Sequence, residues 1–339
     1  MSAAQRRPIS EQAAREELLR CSLCGLCLNN CPTYAVTLSE RFVARGRNFL
    51  STMALDEKVD DEAALAEPIF QCLLCGACTV TCRSSVQTDD VMVYMRHRFW
   101  QLAGRPPVMR LIFDRILPNP RLMRRLARAL SVGKRSGLFA LARKLGLLRW
   151  INARLERADV LVQTMPRSFL RDRLPAMGFV RQQSQAGTVW RLRPQATPKL
   201  RLAYFIGCGT NFQLPDAGQA AMRVLSAAGA ELIVGENVCC GLPPYSYGDL
   251  ESARLLARKN IEALRQLGGE AILTECASCS SFLKEYPALF DEADPMRAQA
   301  EAMAARLRDI TEFLASIELP EDLVPLNEVV TYHDPCHLS

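Results

Sequence analysis

The chain has 339 residues, of which 49% are hydrophobic and 23% charged, with a formal net charge of +6 and 14 cysteines. That length buries a core without disulfide support, and no apolar run approaches the roughly 20 residues needed to cross a bilayer. No apolar stretch follows the basic N-terminal residues, so no secretory signal is read and a cytoplasmic location is expected, where cysteines serve as metal ligands more often than as disulfides.

Charge and cysteine divide the chain into three parts. Residues 101–200 hold 21 Lys/Arg against 4 Asp/Glu, a net of +17, while the remainder carries −11. The cysteines avoid this basic block: eight lie within 21–82 and six within 208–336. The expected boundaries are 1–100, 101–198 and 199–339.

In chain order, Ser10 caps a helix over Glu11–Leu19. Cys21, Cys24, Cys27 and Cys31 then follow the spacing C-x2-C-x2-C-x3-C, with Pro32 next, and Cys72, Cys75, Cys78 and Cys82 repeat it. A cubane cluster needs four thiolates on four iron corners. Three close cysteines wrap three corners, and in two-cluster ferredoxins the fourth cysteine of each run ligates the other cluster. By that rule one 4Fe–4S cluster takes Cys21, Cys24, Cys27 and Cys82, and the other takes Cys72, Cys75, Cys78 and Cys31. Gly25 and Gly76 stand where the backbone must fold closely around sulfide, and Pro32 fixes the turn after Cys31. Arg83 replaces the second proline and would raise the potential of a cluster it faced. Zinc, which favours thiolates in C-x2-C pairs, accounts poorly for two runs of four. The segment Ser39–Phe70 is too long for the hairpins of a small β-type ferredoxin, so this region reads as helical with cluster loops between helices.

The basic middle contains a helix over Arg121–Val132. Leu122, Met123, Leu126 and Leu130 fall on one arc, and Arg121, Arg124, Arg125 and Arg128 on the opposite one. Leu138–Leu155 is similar, with Trp150 as a candidate anchor. Such helices lie on anionic membrane surfaces, pack on their own protein with a solvated arginine face, or dock an acidic partner. No groove-reading motif points to nucleic acid.

From Lys199 onward strands and helices alternate, as in a parallel sheet: strand Leu200–Ile206, helix Ala217–Ala228, strand Glu231–Val234, helix Leu250–Leu267 stopped by Gly268-Gly269, and strand Ala271–Thr274. Cys208, Cys239, Cys240, Cys276 and Cys279 each follow a strand, and so gather at the carboxyl edge where α/β folds build their sites. Gly207-Cys-Gly209 lacks the third glycine and the acidic residue of a dinucleotide loop. Val329–Tyr332 reads as a further strand leading to His333-Asp334-Pro335-Cys336. Cys336 corresponds to Cys208, so the sequence reads as cut short within a second repeat, whose site Cys336 opens and leaves incomplete. Three histidines are present. His97 reads as a surface residue of an Arg-rich helix (Met95–Trp100), and His333 and His337 flank Cys336. No Gly-rich flavin loop is found.

Together these motifs resemble the iron–sulfur subunit of glycolate oxidase and its relatives, which include the iron–sulfur subunits of lactate oxidases and of anaerobic glycerol-3-phosphate dehydrogenase. The likeness rests on Cys31-Pro-Thr-Tyr34, Arg45-Gly-Arg47, the paired cysteine runs, Cys239-Cys-Gly241, Lys284-Glu-Tyr286 and His333-Asp-Pro-Cys336. The Cys-Cys-Gly (CCG) pattern also resembles heterodisulfide reductase, where cysteines spaced like Cys208, Cys239, Cys240, Cys276 and Cys279 hold a noncubane 4Fe–4S cluster. The resemblance implies an α + α/β architecture: a helical two-cluster ferredoxin domain, a basic helical connector and an α/β cysteine-rich domain. It implies electron transfer from an FAD-containing 2-hydroxyacid dehydrogenase subunit, acting on glycolate or lactate, toward quinone or a quinone-linked carrier; the basic block is expected to hold the complex at the inner face of the cytoplasmic membrane. This chain would bind no flavin and contribute no catalytic residue. The alternatives are the glycerol-3-phosphate system and a thiol–disulfide oxidoreductase of the heterodisulfide type.

Overall fold

The computed structural model describes residues 8–151, 153–162, 164–184, 187–194, 197–318, 324, 327–333 and 335–336. Asp334 and His337, singled out above, lie outside the described residues.

The first third is helical. Helix α1 (Glu11–Leu19) starts where the Ser10 hydroxyl accepts the Ala13 N–H at 3.2 Å. Short α2 (Pro32–Thr37) follows the first cysteine run, then α3 (Ala44–Leu55) and α4 (Ala66–Phe70). Between the second run's third and fourth cysteines sits most of α5 (Ala77–Thr81), and α6 (Thr88–Ala103) closes the region. A core of Ala14, Leu18, Ala54, Leu55, Ile69, Val91, Met92 and Met95 joins α1, α3, α4 and α6. Gly46 permits the tight start of α3, since a Cβ there would lie 1.9 Å from the Glu40 carbonyl oxygen.

The basic middle is also helical: α7 (Pro107–Arg110), a π-helical turn over Leu111–Ile116, α8 (Pro120–Arg135), α9 (Leu138–Lys144), α10 (Leu147–Ile151) and α11 (Ala153–Leu161). Met123, Ala127 and Leu130 of α8 pack on Met165, Phe169 and Phe212, so much of that apolar arc is covered by the chain itself, while Leu126 stays 45% exposed. Arg128 pairs with Asp172 at 2.8 Å, and Asp159 is held by Lys134 and Arg143. Leu138, Leu141, Leu145, Leu147, Trp150 and Ile151 remain exposed.

After α12 (Leu170–Arg173) comes a six-stranded mixed sheet, in the order β1-β2-β4-β3-β5-β6. Strands β3 (Leu200–Tyr204), β4 (Ala230–Val234), β5 (Ala271–Thr274) and β6 (Leu307–Asp309) run parallel. Helices α13 (Cys208–Phe212), α14 (Pro215–Ala227), α15 (Leu242–Ser246), α16 (Leu250–Leu267), α17 (Ala277–Lys284), α18 (Pro295–Arg306) and α19 (Ile310–Leu314) connect and cover them. One face buries Ala203, Phe205, Ile233 and Ile272 under α16 and α17; the other buries Leu202, Tyr204, Leu232 and Leu273 under α12 and α14. Coverage on both faces is why these strands read as continuous apolar runs.

Three expectations change. Residues 180–192, assigned to the helical connector, form the antiparallel hairpin β1 (Val180–Ser184) and β2 (Gly187–Leu192), and β2 pairs antiparallel with β4. Its polar, exposed β1 carries no apolar signal. Val329–Tyr332 is not a strand; β6, a three-residue strand too short to read, takes the place beside β5, and Val329 and Val330 are exposed. His97 is no free surface residue: its Nδ1 lies 3.0 Å from the Gly248 carbonyl oxygen, and its helix docks on the sheet region.

Candidate functional site

The two N-terminal cysteine loops share an unusual backbone. Leu23 (φ 56°) and Leu74 (φ 53°) occupy the left-handed region at equivalent places, and Gly25 and Gly76 follow them there. For leucine this conformation costs on the order of 1–2 kcal/mol, and such strain gathers at functional sites where the surroundings over-determine it. It winds three thiols around one point in each loop.

Cys31, the last cysteine of the first run, lines one small cavity with Cys72, Cys75 and Cys78 of the second. Helix α5, which ends at Cys82, packs on the Leu26–Leu28 turn that carries Cys27. The environments of these thiols differ. Burial pushes the Cys78 thiol up to about 12, with Asp89 and Cys72 adding to it, and burial also raises Cys72. Burial acts the same way on Cys31 but is outweighed by the Thr33 hydroxyl, the Tyr34 and Thr33 N–H groups and the Arg47 charge, so Cys31 is lowered. Burial raises Cys27, next to Cys21 and Cys24, while exposed Cys24 is lowered by the Leu26 N–H and the Ser22 hydroxyl. Among the described residues no group of His, Cys, Asp or Glu is drawn in tightly enough to hold a single metal ion.

Two cations at this site escaped the sequence reading. Arg47 and Arg96 are 3% and 5% exposed, whereas Arg83, which had been singled out, is exposed at the surface. Arg47 belongs to the quoted Arg45-Gly-Arg47, and its burial depends on Gly46. Arg96 sits on α6 with no motif to mark it. Its guanidinium donates to the Ile69 and Cys72 carbonyls at 2.8 and 2.6 Å and to the Ser246 carbonyl of the sheet region.

The second cysteine group lies at the carboxyl edge of the sheet, after β3, β4 and β5. Its five thiols form one hydrogen-bonded series: Cys208 with Cys239, Cys239 with Cys240, Cys240 with Cys279, and Cys279 with Cys276. Cys239 and Cys279 both donate to Cys240 and lower it against its burial; Cys279 is raised because Cys240 and Cys276 both seek its single S–H. Asn260 and Tyr286, both 0% exposed, pin the paired cysteines. The Asn260 side-chain N–H groups donate to the Cys239 carbonyl at 2.9 Å and to Tyr286 Oη at 3.0 Å, and the Tyr286 hydroxyl donates to the Cys240 carbonyl at 2.6 Å. Cys336 is exposed on a segment that forms no strand, so it does not take a strand-end position like that of Cys208. His333 is exposed beside it.

The two groups are neighbours. Leu74, between Cys72 and Cys75, packs against the core that contains Cys239, Cys240 and Cys279. A narrow cleft between them is lined by Leu74, Val93, Tyr245 and Phe282.

Family models match three stretches: a 4Fe-4S dicluster domain over residues 17–86, the linker region of the glycolate oxidase iron-sulfur subunit over 104–161, and a cysteine-rich domain over 202–284. A probable glycolate oxidase iron-sulfur subunit of Bacillus subtilis (strain 168) is 28% identical over 337 residues, covering 97% of this chain and 72% of the relative. Along almost its whole length the chain is similar to the glycolate oxidase iron–sulfur subunit family. The glycolate oxidase iron-sulfur subunit of Escherichia coli (strain K12) is 27% identical over 96% of this chain and 72% of its own length. Lactate utilization protein A of an Exiguobacterium species is 31% identical over 41% of this chain and 57% of its own length. No solved structure gives a significant match. The 4Fe-4S and cysteine-rich domain matches make the chain an iron–sulfur protein, and no helix among its described residues is long and apolar enough to cross a membrane.

Proposed function

We propose that this chain carries single electrons within a 2-hydroxyacid-oxidising complex acting on glycolate or lactate, from an FAD-containing partner subunit toward quinone. Cys21, Cys24, Cys27 and Cys82 would hold one 4Fe–4S cluster, and Cys72, Cys75, Cys78 and Cys31 the other. Cys208, Cys239, Cys240, Cys276 and Cys279 would hold a third, noncubane one. The division is that of the sequence: cluster-binding residues 1–100, a connector over 101–198 and a cysteine-rich region over 199–339. The observation that carries the reading is the cavity lined by Cys31 together with Cys72, Cys75 and Cys78, since only crossed ligation requires a cysteine of one run to face three of the other.

When bound, such clusters supply one-electron exchange without proton transfer at the metal. The chain's own residues do the rest. The strained loops aim three thiols each, Arg96 ties the second loop to the sheet region, and Asn260 and Tyr286 hold Cys239 and Cys240 at the sheet edge. Iron and acid-labile sulfide analysis of anaerobically purified protein, with EPR before and after dithionite, tests the reading. About eight to twelve iron per chain, with interacting signals on reduction, is expected; zinc without sulfide would overturn it.

The exposed apolar residues of α9 and α10, with Trp150 85% exposed among arginines and lysines, support peripheral contact with an anionic membrane. Trp150→Glu should then reduce co-sedimentation with anionic vesicles; unchanged binding would refute the contact. The thiol–disulfide alternative would use the paired Cys239 and Cys240, both buried at the sheet edge. Turnover of a heterodisulfide by the isolated chain would select it.

A further inference from the structure

Reduction of an iron–sulfur centre adds one negative charge, so nearby cations favour the reduced form, most strongly where water does not screen them. The two halves of the N-terminal region differ sharply here. Arg47 donates from Nε to the Pro68 carbonyl at 2.7 Å and from Nη2 to the Thr33 hydroxyl at 3.1 Å, and its Nη1 lies 4.0 Å from Cys31 Sγ. Arg96 is held by the backbone carbonyls described above. These partners are neutral; Arg47 lines the cavity of Cys31, Cys72, Cys75 and Cys78, and Arg96 reaches it through the Cys72 carbonyl. Asp89 lines the same cavity and opposes them, as does burial, which disfavours added negative charge. Beside the Cys21 run the nearby arginines are more exposed and paired: Arg45 with Glu40, Arg41 with Glu67 and Arg20 with Glu17. Cys24 itself is exposed to solvent.

We infer that Arg47 and Arg96 make the two centres unequal, holding the reduction potential of the centre at Cys31, Cys72, Cys75 and Cys78 above that of the centre at the Cys21 run. The inference rests on the cluster reading proposed above. Arg47 and Arg96 act through the centre as positioning residues. One electron leaves the lower-potential centre as one enters the higher, and no bond or proton moves; the electron originates in the reduced flavin of the partner, or in dithionite in the test. The consequence is a direction. Charge runs from the solvent-exposed centre to the one whose loop, through Leu74, abuts the five-thiol site.

EPR-monitored redox titration with dithionite tests this on the intact chain, alongside iron and sulfide counts. The parent should show two reduction steps from the N-terminal region, whatever the five-thiol site adds. In Arg47→Gln the higher step should fall by at least tenfold in its equilibrium constant, about 59 mV for one electron, while the lower step stays. Arg47→Lys should restore most of the shift, and Asp89→Asn should move the higher step upward. Movement of the lower step instead, or of neither step with iron retained, overturns the inference. A parent lacking iron and sulfide fails the cluster reading itself. If Arg47→Gln alone loses its iron, Asp89→Asn decides, and no upward shift there overturns the proposal.

Discussion

The two cysteine-rich regions reach thiol convergence by opposite means. In the N-terminal region thiols sit on short strained loops between small helices, where Leu23 and Leu74 hold left-handed backbone and Cys24 is exposed. In the sheet region Cys239, Cys240 and Cys279 are buried at the ends of strands whose side chains are covered on both faces. On the proposed reading, a loop of the first kind would be held in shape by what its thiols bind. A site of the second kind is held by a core that exists without it.

The sharpest way to break this comparison is to take the iron away. Removal of iron should open residues 17–86 to limited proteolysis while residues 202–284 stay protected; equal cleavage of both regions would show that the sheet region also depends on metal. Cys75→Ser should cost about four iron per chain, whereas Cys240→Ser should leave the iron of the N-terminal region in place, as iron and sulfide analysis will report.

The join between the regions is the next place to press. Gly248 has φ +79°, and a Cβ there would lie 2.4 Å from the His97 backbone nitrogen. Gly248→Ala should destabilise by about 1–3 kcal/mol through strain and overpacking. Thermal unfolding followed in each region should show the two transitions moving apart. Within the sheet region, Tyr286→Phe removes a buried hydrogen bond to the Cys240 carbonyl and leaves Asn260 short of a partner. A loss of about 1–3 kcal/mol in denaturant unfolding is expected, with iron in the N-terminal region unchanged.

The smallest effect concerns the sheet's far end. Burial alone would raise Glu231, but its bonds to Arg201 and Arg191 outweigh burial and hold its carboxyl below the ordinary 4.5. A folded value below the unfolded one gives stability that is present above pH 4.5 and lost as pH falls through the folded value. The thermal midpoint should therefore drop more steeply in acid for the parent than for Glu231→Gln. Parallel curves would show that this cluster contributes nothing.

Much of this was legible beforehand because its signals are local. Cysteine spacing depends on how few residues can wrap a cluster. The Ser10 cap, the helix Leu250–Leu267 and the strand Ala271–Thr274 follow from capping chemistry and apolar periodicity. The hairpin at 180–192 was missed because an edge strand needs no apolar face, and β6 because three residues give no period.

By itself the sequence determined where the two thiol groups fall along the chain and which side chains are the candidates for iron–sulfur chemistry. Only the tertiary structure decided what surrounds them. Arg47 and Arg96 are ordinary arginines in sequence, and become buried cations because Gly46 lets α3 close on its neighbour and because backbone carbonyls from the second cysteine loop and the sheet region converge on α6. The same folding sets Leu74 against the five-thiol core and turns the apolar arc of α8 inward. Periodicity states that a helix has an apolar face; what meets that face depends on contacts between residues far apart in the chain.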